Sequence, residues 1–246
     1  MASPSGYRIE RASGGLVEAD LSFVTTGGFP AYKAVSIDIL RSGRTVYSLA
    51  VPNRLVPLRG KGDVLVRDLD NDAEPEVLFT LYSGGAHCCQ TDLIFRWDGK
   101  RYRPLTYDFG NPFATIRDLN GDGRPEFITG DDRFSYRFTD FADSAWPIRV
   151  LIYSQGSFAD VTRRFPDQIH ADATRLLHGD STRGDLRGIL AAWAADQCLL
   201  GRTWSQIVPT ILAAGTQHLR GPSGGPSGAA YVGALHQFLV TTGYLG

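Results

Sequence analysis

The sequence predicts an α+β protein, mainly antiparallel β and closing on a carboxy-terminal helical unit. Three observations carry this expectation. Up to Pro166, short runs of β-branched and aromatic residues are punctuated by Gly, Pro, Asn and Asp, the pattern of strands and tight turns. Within that stretch an acidic nine-residue loop occurs twice, as Asp68-Leu-Asp-Asn-Asp-Ala-Glu-Pro-Glu76 and, 50 residues on, as Asp118-Leu-Asn-Gly-Asp-Gly-Arg-Pro-Glu126. After Pro166 the apolar residues change to helical spacing.

Residues 1–62 read as an amino-terminal β meander, in which Leu16–Thr25 and Tyr32–Leu40 alternate and Ser42-Gly43 turns the chain into Thr45–Val51. The Pro/Gly/Arg segment Pro52–Gly62 leads into two four-stranded repeats, residues 63–166. Strands are expected near 63–67, 76–82, 91–97 and 101–107, and again near 113–117, 126–130, 148–153 and 157–161. Asp98-Gly99 and Gln155-Gly156 are the corresponding hairpin turns. The second repeat carries an aromatic-rich insertion, Asp131–Pro147. In residues 167–246, helices are expected over Asp167–His178, Leu186–Leu200, Trp204–Leu219 and Ala229–Thr242. Asp185 and Thr203 would cap, Pro209 would kink the third helix, and Gly221–Gly228 would be a flexible connection. No apolar run approaches the ~20 residues that a membrane span requires.

Each acidic loop sits between two expected strands. Positions 1, 3, 5 and 9 are Asp68, Asp70, Asp72 and Glu76 in the first copy, and Asp118, Asn120, Asp122 and Glu126 in the second. Position 7, Glu74 or Arg124, adds a backbone carbonyl. Calcium takes six to eight such oxygens, whereas magnesium keeps several waters and a stricter octahedron. The spacing starts like an EF-hand, but position 12 is Phe79 or Thr129, and neither supplies the bidentate carboxylate that an EF-hand needs. Pro75 and Pro125, at position 8, bias the preceding residue toward extended geometry and aim the chain back across the ion. Gly123 eases the turn at position 6, where the first copy has Ala73, so the second loop is expected to be the better formed.

With their flanking strands, these loops resemble the FG-GAP or VCBS calcium-binding repeats of integrin-type β-propellers and many secreted bacterial proteins. Ser83-Gly-Gly-Ala-His-Cys-Cys89, Asp131-Asp-Arg-Phe134 and Phe158–Pro166 further resemble a group of secreted bacterial VCBS-type proteins whose function is generally unassigned. The resemblance covers about residues 63–165 and implies propeller-blade-like repeats holding calcium, with no activity attached. Two blades cannot close a ring of about four to eight. Their edges are therefore expected to be covered by the meander, by the helices or by another subunit, which leaves oligomerisation open.

The 246 residues carry a net charge of −1, with no basic surplus to suggest nucleic acid or an anionic membrane as partner. The start Met1-Ala-Ser-Pro4 is of the kind left once an export signal has been removed, so a secreted or cell-envelope location is expected. The three cysteines, Cys88, Cys89 and Cys198, make neither a disulfide framework nor a CxxC zinc pattern. A vicinal disulfide, or a bridge from one of the pair to Cys198, both fit.

Two segments offer chemistry. Gly84-Gly85-Ala86-His87-Cys88-Cys89 sets an imidazole beside two thiols, which would suit copper or zinc, a redox switch or a His-activated nucleophile, against a purely structural turn. Asp131 and Asp132, among arginines and aromatics, suit glycan or peptide recognition, acid–base work or an extension of the ion site, against an ordinary capping loop. No HExxH, Walker loop, dinucleotide fingerprint or GxSxG elbow occurs. The function expected is that of a calcium-binding, non-catalytic module for a protein or glycan ligand, the ion being structural. The alternative is a hydrolase or a redox or transition-metal protein using the His87-Cys88-Cys89 turn with the Asp131-Asp132 loop.

Overall fold

The computed structural model describes residues 6–28, 31–84, 88–178, 185–214, 219 and 225–246. The protein is α+β, with antiparallel sheets and a helical carboxy-terminal part. The chain divides into two units, Met1–Phe127 with Ile152–Ala159, and Ile128–Leu151 with Asp160–Gly246.

In the first unit β1 (Tyr7–Gly14), β2 (Val17–Thr25), β3 (Tyr32–Arg41) and β4 (Arg44–Ala50) make a meander in the order β1-β2-β3-β4. Period-two alternation puts Val35, Ile37 and Ile39 of β3 inward beside Val17, Ala19 and Leu21 of β2. β1 extends the meander beyond the strands expected from the sequence. Its charged residues carry little apolar signal, and it is held by pairing with β2 from Tyr7↔Val24 to Gly14↔Val17. The second sheet contains β5 (Val56–Pro57), β6 (Val64–Arg67), β7 (Glu76–Tyr82), β8 (Gln90–Trp97) and β9 (Tyr102–Gly110). Its order is β5-β7-β8-β9, with β6 also paired to β7. Phe79, Leu81 and Phe95 of this sheet share one core with Leu21, Phe23 and Ile37 of the meander. Burying aromatic and branched side chains of this kind contributes roughly 1.5–3 kcal/mol each.

A third sheet takes β10 (Thr115–Arg117), β11 (Glu126–Gly130), β12 (Ile148–Ser154) and β13 (Ser157–Asp160) in simple sequence order. The chain passes from one unit to the other within β11, β12 and β13. Gln155 and Gly156, at φ 48° and 87°, form the β12–β13 turn.

The second unit holds α1 (Pro166–His178), α2 (Arg187–Leu199), α3 (Trp204–Ala213) and α4 (Gly228–Thr241). All of α2 is buried except Leu199, as its run Ile189-Leu-Ala-Ala-Trp193 requires of a helix apolar on every side. Gly188 is needed there, because an added Cβ would lie 2.2 Å from the Asp143 carbonyl oxygen. Thr203 starts α3 with the Gln206 side chain accepting its backbone N–H at 2.9 Å. Asp185 serves the start of α2 differently from a simple cap. It accepts the Arg187 N–H at 3.1 Å and forms a buried ion pair with that guanidinium at 2.7 Å. Residues 215–218 and 220–224, which cover much of the expected continuation of α3 to Leu219 and the first half of Gly221–Gly228, lie outside the described residues.

Candidate metal centre

The β6–β7 connection is the first acidic loop, and the β10–β11 connection is the second. Antiparallel pairing of Arg67 with Glu76 brings the two ends of the first loop side by side. Both loops are wired alike. At position 1, Asp68 accepts the Asn71 N–H at 2.7 Å and the Ala73 N–H at 2.8 Å. Asp118 likewise accepts Gly121 at 2.8 Å and Gly123 at 2.9 Å. At position 9, Glu76 accepts the Leu69 N–H at 2.9 Å and Glu126 accepts Leu119 at 2.8 Å. At position 5, Asp72 and Asp122 accept from Glu74 and Arg124 at 2.9 and 2.8 Å. The repeat in sequence is therefore a repeat in hydrogen bonding.

Positions 4 and 6 both have positive φ, 61° at Asn71 and 69° at Ala73 in the first loop, 76° at Gly121 and 89° at Gly123 in the second. The glycines adopt this without penalty, whereas Ala73 stores about 1–2 kcal/mol of strain. The cost does not prevent the first loop from gathering its carboxylates. One oxygen each from Asp68, Asp70 and Glu76 lie within 4.8 Å of one another, the one such acidic group found among the described residues. The sequence had favoured the second loop on its glycine. In that loop Asn120 replaces the position-3 carboxylate, and its amide turns inward to Asp122 at 2.9 Å.

Position 7 contributes no side chain in either copy. Glu74 pairs with Arg41 at 2.6 Å, and the Arg124 guanidinium donates to the Tyr153 carbonyl. Only the backbone carbonyls of Glu74 and Arg124 remain for an ion.

The first cluster is half-buried at Asp68 and Asp70, buried at Glu76, and short of partners. The Asp70 side chain is 2% exposed and Glu76 is 1% exposed, and among the described residues Asp70 Oδ1 and Glu76 Oε1 lack a hydrogen-bond donor. Asp70 Oδ2 accepts the Gln155 N–H at 2.8 Å, while the Arg96 guanidinium reaches Asp72 at 3.1 Å and stands 3.9 Å from Asp70. Burial, reinforced by Asp70, Asp72 and Asp68, pushes the Glu76 carboxyl up to about 8. Oxygens from three carboxylates, two of them with unsatisfied buried atoms, plus a position-7 carbonyl, fit a hard cation and no soft one.

The other candidate segments belong to different units. Cys88 and Cys89 are joined as a vicinal pair, and Cys198 is a free thiol buried in the helical core, so the alternative bridge to Cys198 is not formed. His87 lies outside the described residues. Asp131 is 1% exposed, paired with Arg133 and accepting the Tyr244 hydroxyl at 2.9 Å. Its oxygens are committed to holding the insertion onto the helical unit. The insertion's Phe134 and Phe138 sit in the helical core against Phe238. Among these aromatics Tyr136 is exposed, at 54%.

One acidic pair was not visible in the sequence. Asp196 of α2, fully buried, accepts the Ile148 N–H at 3.2 Å and feels the charge of Asp172 of α1. Burial and then the Asp172 charge push its carboxyl up to about 9.

No family model matches the chain, and no solved structure matches it. A probable thylakoid lumen protein of Synechocystis sp. is 32% identical over 150 residues, covering 55% of this chain and 43% of that protein. An uncharacterized protein of Sinorhizobium fredii, y4bJ, is 25% identical over 197 residues, covering 71% of this chain and 31% of that protein. The chain thus spans less than half the length of either relative. Among the described residues no helix is long and apolar enough to cross a membrane.

Proposed function

We propose that this chain is a calcium-binding, non-catalytic interaction module working in a translocated, extracytoplasmic compartment, with the ion serving the fold. The observation that carries the reading is the cluster of Asp68, Asp70 and Glu76, where buried oxygens of Asp70 and Glu76 have no donor among the described residues. The repeated wiring of the second loop extends the proposal to Asp118, Asn120, Asp122 and Glu126. Bound calcium would satisfy those oxygens and neutralise the cluster beside which Arg96 stands. The resemblance to FG-GAP and VCBS repeats supports the same ion, and the name of the Synechocystis relative supports the compartment. A protein or glycan is the class of ligand such a module would present its loops to.

At ~1 mM calcium and a ~10 µM site, mass action adds about 2.7 kcal/mol to folding stability. Isothermal titration of chelator-stripped protein tests the reading. Calcium should bind at two sites and magnesium weakly, with Asp68→Asn removing one site and Asp118→Asn the other. Absence of calcium heat, or equal response to magnesium, would refute it.

A further inference from the structure

A surface cleft of about 370 Å³ in the second unit is lined by four arginines, Arg133, Arg149, Arg163 and Arg164, against one carboxylate, Asp160. Asp160 is taken up by Arg149 at 3.1 Å, and Arg133 is paired with the buried Asp131. Arg163 and Arg164 are left facing solvent with no carboxylate partner among the described residues.

The wall is held in place before any ligand arrives. Arg163 Nη1 donates to the Cys198 and Leu199 carbonyls at 3.1 and 2.8 Å, which ties it to the carboxy-terminal end of α2. Its Nε and Nη2 donors remain available, as does the whole fork of Arg164. On the other side Arg133 donates to the Thr242 carbonyl at 3.1 Å and lies over the Tyr244 ring at 5.7 Å. Val161 and Leu199 give the cleft an apolar surface beside these cations. Planar guanidinium forks match the oxygens of phosphate and carboxylate, and fixed donors lose little entropy when they bind.

We propose that this cleft binds a small molecule carrying a phosphate or carboxylate group, seated on Arg163 and Arg164 with its apolar part against Val161 and Leu199. The site lies in the helical unit, uses none of the calcium-loop residues and stands independently of the calcium reading. A cleft of this volume takes a metabolite-sized ligand rather than a polymer.

The test is calorimetric titration of the full chain with inorganic phosphate and, separately, malonate, in calcium-free buffer so that neither anion acts by sequestering calcium. Millimolar or tighter binding of either anion is expected. Phosphate alone binding would identify a phosphate ligand, and malonate alone a carboxylate. Arg164→Gln should weaken binding about tenfold, the loss of one charge-assisted contact, and Arg164→Glu should abolish it. Both variants should unfold at the wild-type temperature without anion, since the exposed Arg164 side chain makes no hydrogen bond or ion pair among the described residues. Failure of both anions to bind, or equal binding by wild type and Arg164→Glu, would overturn the proposal. Equal stabilisation of both proteins would mark the generic effect of an excluded salt.

Discussion

Replacing Asp196 with Asn should remove much of the protein's pH dependence above pH 5. Asp196 is 0% exposed, with Oδ1 accepting from the Ile148 N–H and Oδ2 lacking a donor among the described residues, and it feels the charge of Asp172. Its pKa rises from the ordinary 3.8 to about 9, first through burial and then through the Asp172 charge. The folded protein therefore keeps a proton that the unfolded chain releases. Stability from this group is complete below the unfolded pKa and is lost as the pH climbs toward the folded one. The slope is about 1.4 kcal/mol per pH unit, so the step from pH 5 to pH 7 costs about 2.7 kcal/mol. Asn keeps the Oδ1 acceptor, offers Asp172 a donor and has nothing to ionise. Urea unfolding of both proteins in chelator at pH 4, 5, 6, 7 and 8 should give curves that meet only below about pH 4 and diverge steadily above it, with the variant more stable. The carboxyls of Glu76 and Asp92, raised to about 8 and about 7, add slope of the same sign to both proteins and cancel in the difference. Parallel pH profiles would refute the account of this pair.

Arg187→Met strands the fully buried Asp185 carboxylate without its partner. It should cost about 3–5 kcal/mol in denaturant unfolding, and a loss under about 1 kcal/mol would contradict the ion pair's burial. Ala73→Gly releases the αL strain at φ 69°. After allowing for the looser unfolded chain it should add about 1 kcal/mol to stability in chelator, where a loss would mean that the turn is not strained.

The β framework was legible because its signals are local. Expected strands near 76–82 and 126–130 are β7 and β11, since branched runs bounded by turn residues admit little else. The pattern also placed α2 within a residue at each end, from a stretch apolar on all sides. β1 was hidden by its charges, because an edge strand is fixed by its neighbour's hydrogen bonds more than by its own composition. At the site, spacing gave the ligand candidates, but convergence depends on where each side chain turns. Nothing in Glu74 announces its pairing with Arg41, 33 residues away, and nothing in Arg96 announces its place over Asp70 and Asp72. The Asp172–Asp196 pair and the arginine cleft join segments distant in the chain, which no single window of sequence displays.

The most direct test of the calcium account is thermal unfolding of wild type and Glu76→Gln, each in chelator and in millimolar calcium. Calcium should raise the wild-type midpoint by about 5 to 11 °C and magnesium should not reproduce it. Glu76→Gln should gain clearly less from calcium yet match or exceed wild type in chelator, because it removes a buried oxygen that has no donor beside two other carboxylates. A wild-type midpoint indifferent to calcium, or a variant that gains as much as wild type, would contradict it.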